Sequence, residues 1–241
     1  LVAVWHYLKY VNSRMQPDNS KPLRARLHYG LATGVFFLAL LAKPTAVVIP
    51  AIVWLLATWG WRPRWREHIT GLSAWVIIAL VWGILTRWIQ PGTSLLNAPP
   101  VWARPLIAGD AVLFYLYKLV LPLRLGPDYG RAPQVVLEHS WLFITGLLPF
   151  AIAVWLWFKR KTFSWLVTAA GIFVVVLLPV LGLISFDFQY YSTVADRYVY
   201  LALLGPAIVL AYGLTRLKKT LAVVGSAIVL GLFIFRSVLQ I

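Results

Sequence analysis

Residues 185–201 read SFDFQYYSTVADRYVYL, and they lie between two strongly apolar runs, residues 163–184 and 199–215. Two acids, one arginine and four tyrosines stand close together in this stretch. Ionisable residues between segments that are apolar enough for a membrane mark a candidate functional site. A solvated loop that carries aromatic residues of a membrane interface is the alternative, and spacing alone does not exclude it.

The composition is that of an integral membrane protein. Of the 241 residues, 61% are hydrophobic and 12% are charged, and the mean hydropathy is +0.80. A soluble domain of this length could not bury so much apolar surface. The net charge of +15 is expected on the cytoplasmic loops of a membrane protein, so we expect no nucleic-acid partner. The chain has no cysteine, which excludes disulfides and thiolate metal sites.

Hydropathy and helix-breaking residues predict an all-α fold, a polytopic transmembrane helical bundle that forms one domain. A membrane-spanning helix needs about 20 residues. Residues 30–61 therefore predict a hairpin of two short helices that turns at Lys43, with Pro44 as the first residue of the second helix. Residues 111–125 are apolar but short and contain Lys118, which favours an interfacial or re-entrant helix over a short span. The predicted spans are residues 1–11 (partial), 30–43, 44–61, 69–89, 141–158, 163–184, 198–215 and 220–238.

Basic residues predict how these helices are oriented. Four segments carry 14 of the 22 lysines and arginines: residues 9–26, 62–66, 159–161 and 216–219. Only two of the seven acids, Asp18 and the adjacent Glu67, lie in or next to these segments. The positive-inside rule assigns these segments to the cytoplasm, provided that residues 111–125 do not cross the membrane. Residues 185–201 then lie on the outer face, which is periplasmic for a bacterial inner membrane.

Arg197 is the first candidate for a substrate contact on this face. It begins an apolar helix, where backbone N–H groups and the helix dipole favour an anion, and its planar guanidinium suits a phosphate. The alternative is an interfacial arginine that reaches lipid headgroups. Lys43, at the tip of the hairpin, is either a second phosphate contact or an interfacial anchor.

Asp187 and Asp196 are the candidates for a general base or for ligands of a divalent cation. They lie nine residues apart and nothing in their spacing brings them together, so solvated loop acids are the alternative. Asp196 and Arg197 are neighbours and would point about 100° apart on a helix, so they need not pair. Asp128-Tyr129-Gly130 predicts a turn.

Three strings, in this order along the chain, resemble segments of one family. They are LALLAKPTAVVIPAIVWLL (residues 38–56), FYLYKLVLPLRLGPDYG (114–130) and LLPVLGLISFDFQYYSTVADRYVYLALLG (177–205). They are similar to the patterns SKP…PxxLLL, YxxKLxxPxxLxxxY and PVxGLxxF…VADRYxYLxxxG of bacterial polytopic proteins with C-terminal tetratricopeptide repeats. The eukaryotic relatives of these proteins are the transmembrane-and-tetratricopeptide-repeat protein O-mannosyltransferases.

The resemblance implies a GT-C glycosyltransferase architecture with its active site on the outer face of the membrane. The implied donor is a polyprenyl-phosphate sugar and the implied acceptor is a protein hydroxyl. The one cofactor that the residues themselves suggest is a divalent metal bound by Asp187 and Asp196. Asp196, Arg197 and Tyr198 match the ADRY motif, and Lys43 matches the hairpin motif. Arg197 would neutralise the leaving phosphate, with Lys43 and Tyr198 as further phosphate contacts.

Two features of the family are missing from this chain. Its acidic motif lies in the first outer loop, upstream of Leu1, and the repeat domain is absent. We therefore expect a fragment of a longer chain, with the catalytic base upstream of Leu1. The alternative function is a non-catalytic membrane subunit that anchors or scaffolds a larger complex through partner subunits. A lipid-linked sugar transporter is disfavoured because the charged residues cluster at the membrane faces.

Overall fold

The computed structural model describes residues 1–15, 22–60, 65–89, 98–123 and 125–238. All regular secondary structure in these ranges is helical, which confirms the all-α prediction. Residues 61–64, which include the first part of the predicted basic loop 62–66, lie outside the described residues, and so do residues 16–21, 90–97 and 239–241 and residue 124.

The described residues form eleven α-helices, and three 3-10 turns lie between some of them at Pro44–Val48, Leu178–Val180 and Asp187–Tyr190. Most helices have 12 or more residues, whereas α6 and α9 are single turns. The helices are α1 (Val2–Met15), α2 (Pro22–Ala42), α3 (Ile49–Gly60), α4 (Trp65–Ile89), α5 (Arg104–Val120), α6 (Pro133–Leu137), α7 (Leu142–Phe158), α8 (Ser164–Leu177), α9 (Asp196–Val199), α10 (Leu204–Thr215) and α11 (Lys219–Val238).

Helices α1 to α4 enclose one of two apolar cores. Trp75 of α4 is fully buried at its centre, where its ring stacks on Phe36 with the centroids 4.7 Å apart. The indole Nε1 of Trp75 donates a hydrogen bond to Thr33 Oγ1 at 2.9 Å. A buried indole N–H with a partner incurs little desolvation cost. This core therefore joins α2 and α4 by packing and by a hydrogen bond.

The second core lies between α3, α5 and α8 and continues to the residues around α9. Ile52, Tyr115, Ile172 and Leu177 of this core are fully buried or nearly so. Helix α3 contacts both cores, because Val53 packs in the first and Ile52 in the second. The two cores are thus continuous across α3.

The chain turns at Lys43, between α2 and α3. Helix α2 ends at Ala42, Lys43 is extended with φ −152°, and Pro44 begins the 3-10 turn that leads into α3. Proline suits the first helical position because the missing N–H would have no partner there. Helix α2 begins at Pro22, earlier than the predicted residue 30.

Several other helices differ from their predicted bounds: α1 ends at Met15 instead of residue 11, α4 begins at Trp65 instead of residue 69, and α8 ends at Leu177 instead of residue 184. The segment predicted at residues 111–125 is α5, which begins at Arg104, because Pro105 favours a helix start. Helix α5 ends at Val120, two residues before Pro122, whose ring disfavours helical backbone in the residue before it. The helix predicted at residues 198–215 is divided into the single turn α9 and the helix α10, which begins at Leu204.

Two helical segments are long and apolar enough to cross a membrane, Leu23–Ala42 and Gly71–Ile89, judged by length and composition alone. Several other predicted spans correspond to shorter apolar helices. Large apolar side chains are exposed on α4 and α7, among them Ile77, Leu80 and Ile144. Water would oppose apolar surface on this scale, whereas a lipid environment would not. The exposed surface therefore has the character of a membrane protein.

Candidate functional site

Asp196 holds together two segments that are distant in the sequence. Its Oδ1 accepts a hydrogen bond from the Tyr129 hydroxyl at 2.7 Å, and its Oδ2 accepts one from the Gly126 N–H at 2.7 Å. Hydrogen bonds to a carboxylate are among the stronger ones in proteins. Because both oxygens are engaged, Asp196 fixes the 126–131 loop against the start of α9.

Tyr129 keeps the proton that it donates to Asp196. Burial raises the pKa of the Tyr129 phenol well above its ordinary value, and the hydrogen bond and charge of Asp196 raise this pKa further. The Lys118 ammonium lies 4.6 Å from the centroid of the Tyr129 ring, within the range of a cation–π contact. Tyr129 is therefore a neutral donor held between a carboxylate and a cation.

We expect Tyr129→Phe to lower the free energy of unfolding by about 1–3 kcal/mol, because it removes a hydrogen bond to a charged group. Thermal unfolding of detergent-solubilised protein, followed by tryptophan fluorescence, measures the loss. Tyr190→Phe is the matched control, since Tyr190 is exposed in the same region. Equal melting temperatures for the two variants would show that the Tyr129–Asp196 contact adds nothing to stability.

More hydrogen bonds join residues 115–131 to residues 192–195. The Ala195 N–H donates to the Tyr115 hydroxyl at 2.9 Å, and that hydroxyl donates back to the Ala195 carbonyl at 3.2 Å. The Thr193 N–H donates to the Arg131 carbonyl at 2.9 Å, and the Arg131 N–H donates to Ser192 Oγ at 3.3 Å. Since Ser192, Thr193 and Ala195 are buried, these bonds satisfy backbone groups that water does not reach.

Arg131 also forms an ion pair with Asp110 of α5, Nη2 to Oδ2, at 2.5 Å. The Asp110 side chain is only 5% exposed. The Arg131 guanidinium lies 4.9 Å from the Trp141 ring centroid and 5.2 Å from that of Phe114. A buried carboxylate requires a partner of this kind, because an uncompensated charge in an apolar environment is costly. The pair therefore anchors the 126–131 loop to α5.

Arg197 remains exposed beside this network. Its guanidinium lies 3.9 Å from the centroid of the Phe188 ring and donates a hydrogen bond to the Tyr198 hydroxyl at 3.2 Å. No carboxylate in the described part of the chain forms an ion pair with it. The sequence predicts that Arg197 begins a long helix whose dipole favours an anion. This prediction is wrong, because α9 has only four residues. Any affinity for an anion rests on the guanidinium itself.

The other candidate residues are at the surface or half-buried. Asp187 begins the 3-10 turn Asp187–Tyr190 and is exposed, and Tyr198 is half-buried. Lys43 is exposed at the turn between α2 and α3, and no contact joins it to the Asp196 network in the described residues. The described residues contain no group of three or more His, Asp or Glu side chains that could hold a metal ion.

Gly182 determines how the chain enters residues 185–201. Its φ of +80° is a conformation that residues with a side chain rarely adopt. A Cβ at this position would lie 2.1 Å from Nε2 of the buried Gln189. Gly182 therefore lets the chain reverse direction after α8 and brings the Asp187–Tyr190 turn back against it.

The network joins two of the three strings that carry the family resemblance. Tyr115, Lys118 and Tyr129 belong to the second string, and Ala195 and Asp196 belong to the third. Sequence reasoning missed the roles of Tyr115 and Tyr129 and the pairing of Arg131 with Asp110, and it marked residues 128–130 only as a turn, from the turn-favoured Asp128 and Gly130. Comparison of the chain with protein-family models, curated proteins and solved structures finds no match.

Proposed function

We propose that the chain is the core of a GT-C-like membrane glycosyltransferase, a polytopic bundle in a bacterial inner membrane. It transfers a sugar from a polyprenyl-phosphate donor to a protein hydroxyl on the periplasmic face. The observation that carries the proposal is the exposed guanidinium of Arg197, which is stacked on Phe188 and has no carboxylate partner among the described residues.

Arg197 has the properties that a phosphate contact requires. Its planar guanidinium can donate two parallel hydrogen bonds to a phosphate. Because stacking on Phe188 already limits the orientations of the guanidinium, the side chain loses less conformational freedom when it binds a phosphate. Asp196 forms no ion pair with Arg197, and both oxygens of that carboxylate accept hydrogen bonds from Tyr129 and Gly126 instead. A preoriented cation beside a leaving phosphate stabilises the charge that develops in the transition state.

The two acids take different roles in this proposal. Asp196 is a positioning residue, since its hydrogen bonds hold the segment that carries Arg197. Asp187 is exposed and begins a turn in the same outer segment, so a hydroxyl acceptor could approach it. Lys43 and Tyr198 are secondary phosphate contacts.

Arg197→Ala in the full-length protein tests the assignment. We expect transfer from a polyprenyl-phosphate mannose donor to fall by about 10²–10³, the usual cost of removing one group that stabilises transition-state charge. Radiolabelled sugar transferred to protein in proteoliposomes measures this rate. Arg160→Ala is the matched control, because Arg160 is also exposed and lies over an aromatic ring, 4.3 Å from the centroid of Trp157.

Normal transfer by the Arg197→Ala variant, at an unchanged level of expression, would contradict the proposed role. Absence of transfer by the wild-type protein would instead favour a non-catalytic membrane subunit that contacts partner subunits. Transfer by the wild-type protein and transfer by the Arg197→Ala variant are measured with the same preparations and donor, so one experiment distinguishes the two outcomes.

A further inference from the structure

A long apolar groove runs along α4, with α3 and Ile184 as its other boundaries. Its volume is about 1090 Å³, slightly above the roughly 300–1000 Å³ of small-molecule sites. On the α3 side it is lined by residues that include Ala51 and Trp54. The α4 side presents one face of that helix, from Leu72 to Trp88.

The groove has the length of a lipid chain. Leu72 and Trp88 both line it and are sixteen positions apart on α4, which corresponds to roughly 24 Å at the helical rise of 1.5 Å per residue. This is most of the thickness of a bilayer's hydrocarbon core, about 30 Å. An extended hydrocarbon chain fills such a groove, whereas a compact ligand would leave most of it empty.

One end of the groove is charged. Among the described residues that line it, Arg87 is the one with an ionisable side chain, and it is exposed there beside Trp88. It has no hydrogen-bond or ion-pair partner among the described residues. Ile184, also in the lining, directly precedes residues 185–201. An apolar groove with one cation at its end matches a lipid that has a single chain and an anionic head.

We propose that this groove binds the hydrocarbon chain of a polyprenyl phosphate and that Arg87 contacts its phosphate. The choice of an isoprenoid lipid rests on the proposed function, whereas the groove and its cation are independent of it. Apolar surface on α3 and α4 binds the chain by burial. Arg87 binds the head by charge-assisted hydrogen bonds, which are stronger in a poorly hydrated site.

Two glycines make a matched pair of variants that test the site. A Cβ at Gly83, which lines the groove, would meet nothing within 4 Å, so a larger side chain enters the groove without a backbone clash. Gly34 of α2 is equally open but does not line the groove. Gly83→Leu therefore fills the site, and Gly34→Leu makes the same change elsewhere. Ala51→Leu fills the groove from the opposite wall and provides a second test should Gly83→Leu fold poorly.

The experiment uses the full-length protein in phospholipid nanodiscs with a diazirine-bearing farnesyl phosphate as the probe. Mass spectrometry locates the crosslinks after illumination. We expect crosslinks on α3 and α4, a loss of about tenfold or more with Gly83→Leu and with Ala51→Leu, and no loss with Gly34→Leu. Arg87→Gln should weaken binding of farnesyl phosphate by roughly tenfold to a hundredfold and leave the binding of a farnesol probe unchanged.

Equal crosslinking in Gly83→Leu and Gly34→Leu would overturn the assignment of the groove. Displacement of the probe by phosphatidylglycerol as effectively as by a polyprenyl phosphate would overturn the assignment of an isoprenoid lipid. Sugar transfer, measured on the same samples, separates the two proposals. Groove crosslinking without transfer contradicts the proposed function alone, whereas transfer without groove crosslinking contradicts the lipid site alone.

Discussion

Gly109→Ala is expected to destabilise the contact between α5 and α7 by about 3 kcal/mol or more. A Cβ at Gly109 would lie 2.0 Å from the carbonyl oxygen of Gly146 and 2.9 Å from its carbonyl carbon. The obstacle is backbone, so no rotation of a side chain relieves it. Overpacking commonly costs about 1–3 kcal/mol, and a clash between two helix backbones belongs at or above the top of that range.

The reverse contact has the same geometry, since a Cβ at Gly146 would lie 2.7 Å from the Leu106 carbonyl oxygen. Small residues at helix contacts allow backbones to approach closely, which is a main source of helix association in membranes. Separation of α5 from α7 would also displace Asp110 and Tyr115, which follow Gly109 on α5. Gly109→Ala should therefore weaken the Asp196 network as well as the helix packing.

Thermal unfolding followed by tryptophan fluorescence measures the effect, which should amount to a fall of roughly 6–12 °C in Tm at 2–4 °C per kcal/mol. Gly213→Ala is the control, because a Cβ at this position on α10 meets nothing within 4 Å. Alanine in an open helix position favours the helix by up to about 1 kcal/mol, so the control should be neutral or slightly stabilised. Matching behaviour of the two variants would refute the close approach of α5 and α7.

Arg131→Met is expected to cost about 3–5 kcal/mol, because it leaves the buried Asp110 carboxylate without its cation. Methionine keeps much of the length and the apolar contacts with Phe114 and Trp141, so the loss reports mainly on charge. Arg216→Met is the control, since Arg216 is exposed and lies 5.0 Å from the centroid of the Tyr212 ring. The control should lose no more than about 1 kcal/mol.

A double-mutant cycle gives the sharper measurement. Asp110→Asn removes the charge that Arg131→Met leaves unpaired, so the double variant should be more stable than the sum of the two single losses predicts. We expect a coupling of at least about 1 kcal/mol, within the range for residues that share one ion pair. Losses that simply add would show that Asp110 and Arg131 act independently, contrary to the 2.5 Å contact between them.

Short-range features could be predicted because their causes lie within a few residues. The turn at Asp128–Gly130 is one example: Asp128 Oδ1 accepts a hydrogen bond from the Gly130 N–H at 2.8 Å, and Gly130 has φ +61°. The break between Ala42 and Pro44 is another, since proline lacks an N–H and restricts the residue before it. Both follow from the chemistry of the residues at the turn.

The break between α9 and α10 has a local cause and a long-range one. Pro206 lacks an N–H, and its ring would clash with the Ala202 carbonyl in one continuous helix, a signal that the single helix predicted at residues 198–215 overlooked. In the structure Gly205 lies against α8, where a Cβ would be 2.4 Å from the Ala169 carbonyl oxygen. The close packing of α10 on α8 and the hydrogen bonds at Ala195 and Asp196 separate the two elements. These contacts depend on residues far away in the chain.

The sequence by itself determined the helical class, the apolar character of the surface, the turn at Lys43 and the segment that holds Arg197. Hydropathy and turn chemistry act between near neighbours, so they can be recognised along the chain. Only the tertiary structure decided which polar groups pair: Asp196 with Tyr129, 67 positions away, and Asp110 with Arg131. The energies of such pairs depend on distance and burial, and spacing in a sequence encodes neither. For the same reason the structure alone distinguishes the engaged carboxylate of Asp196 from the exposed guanidinium of Arg197.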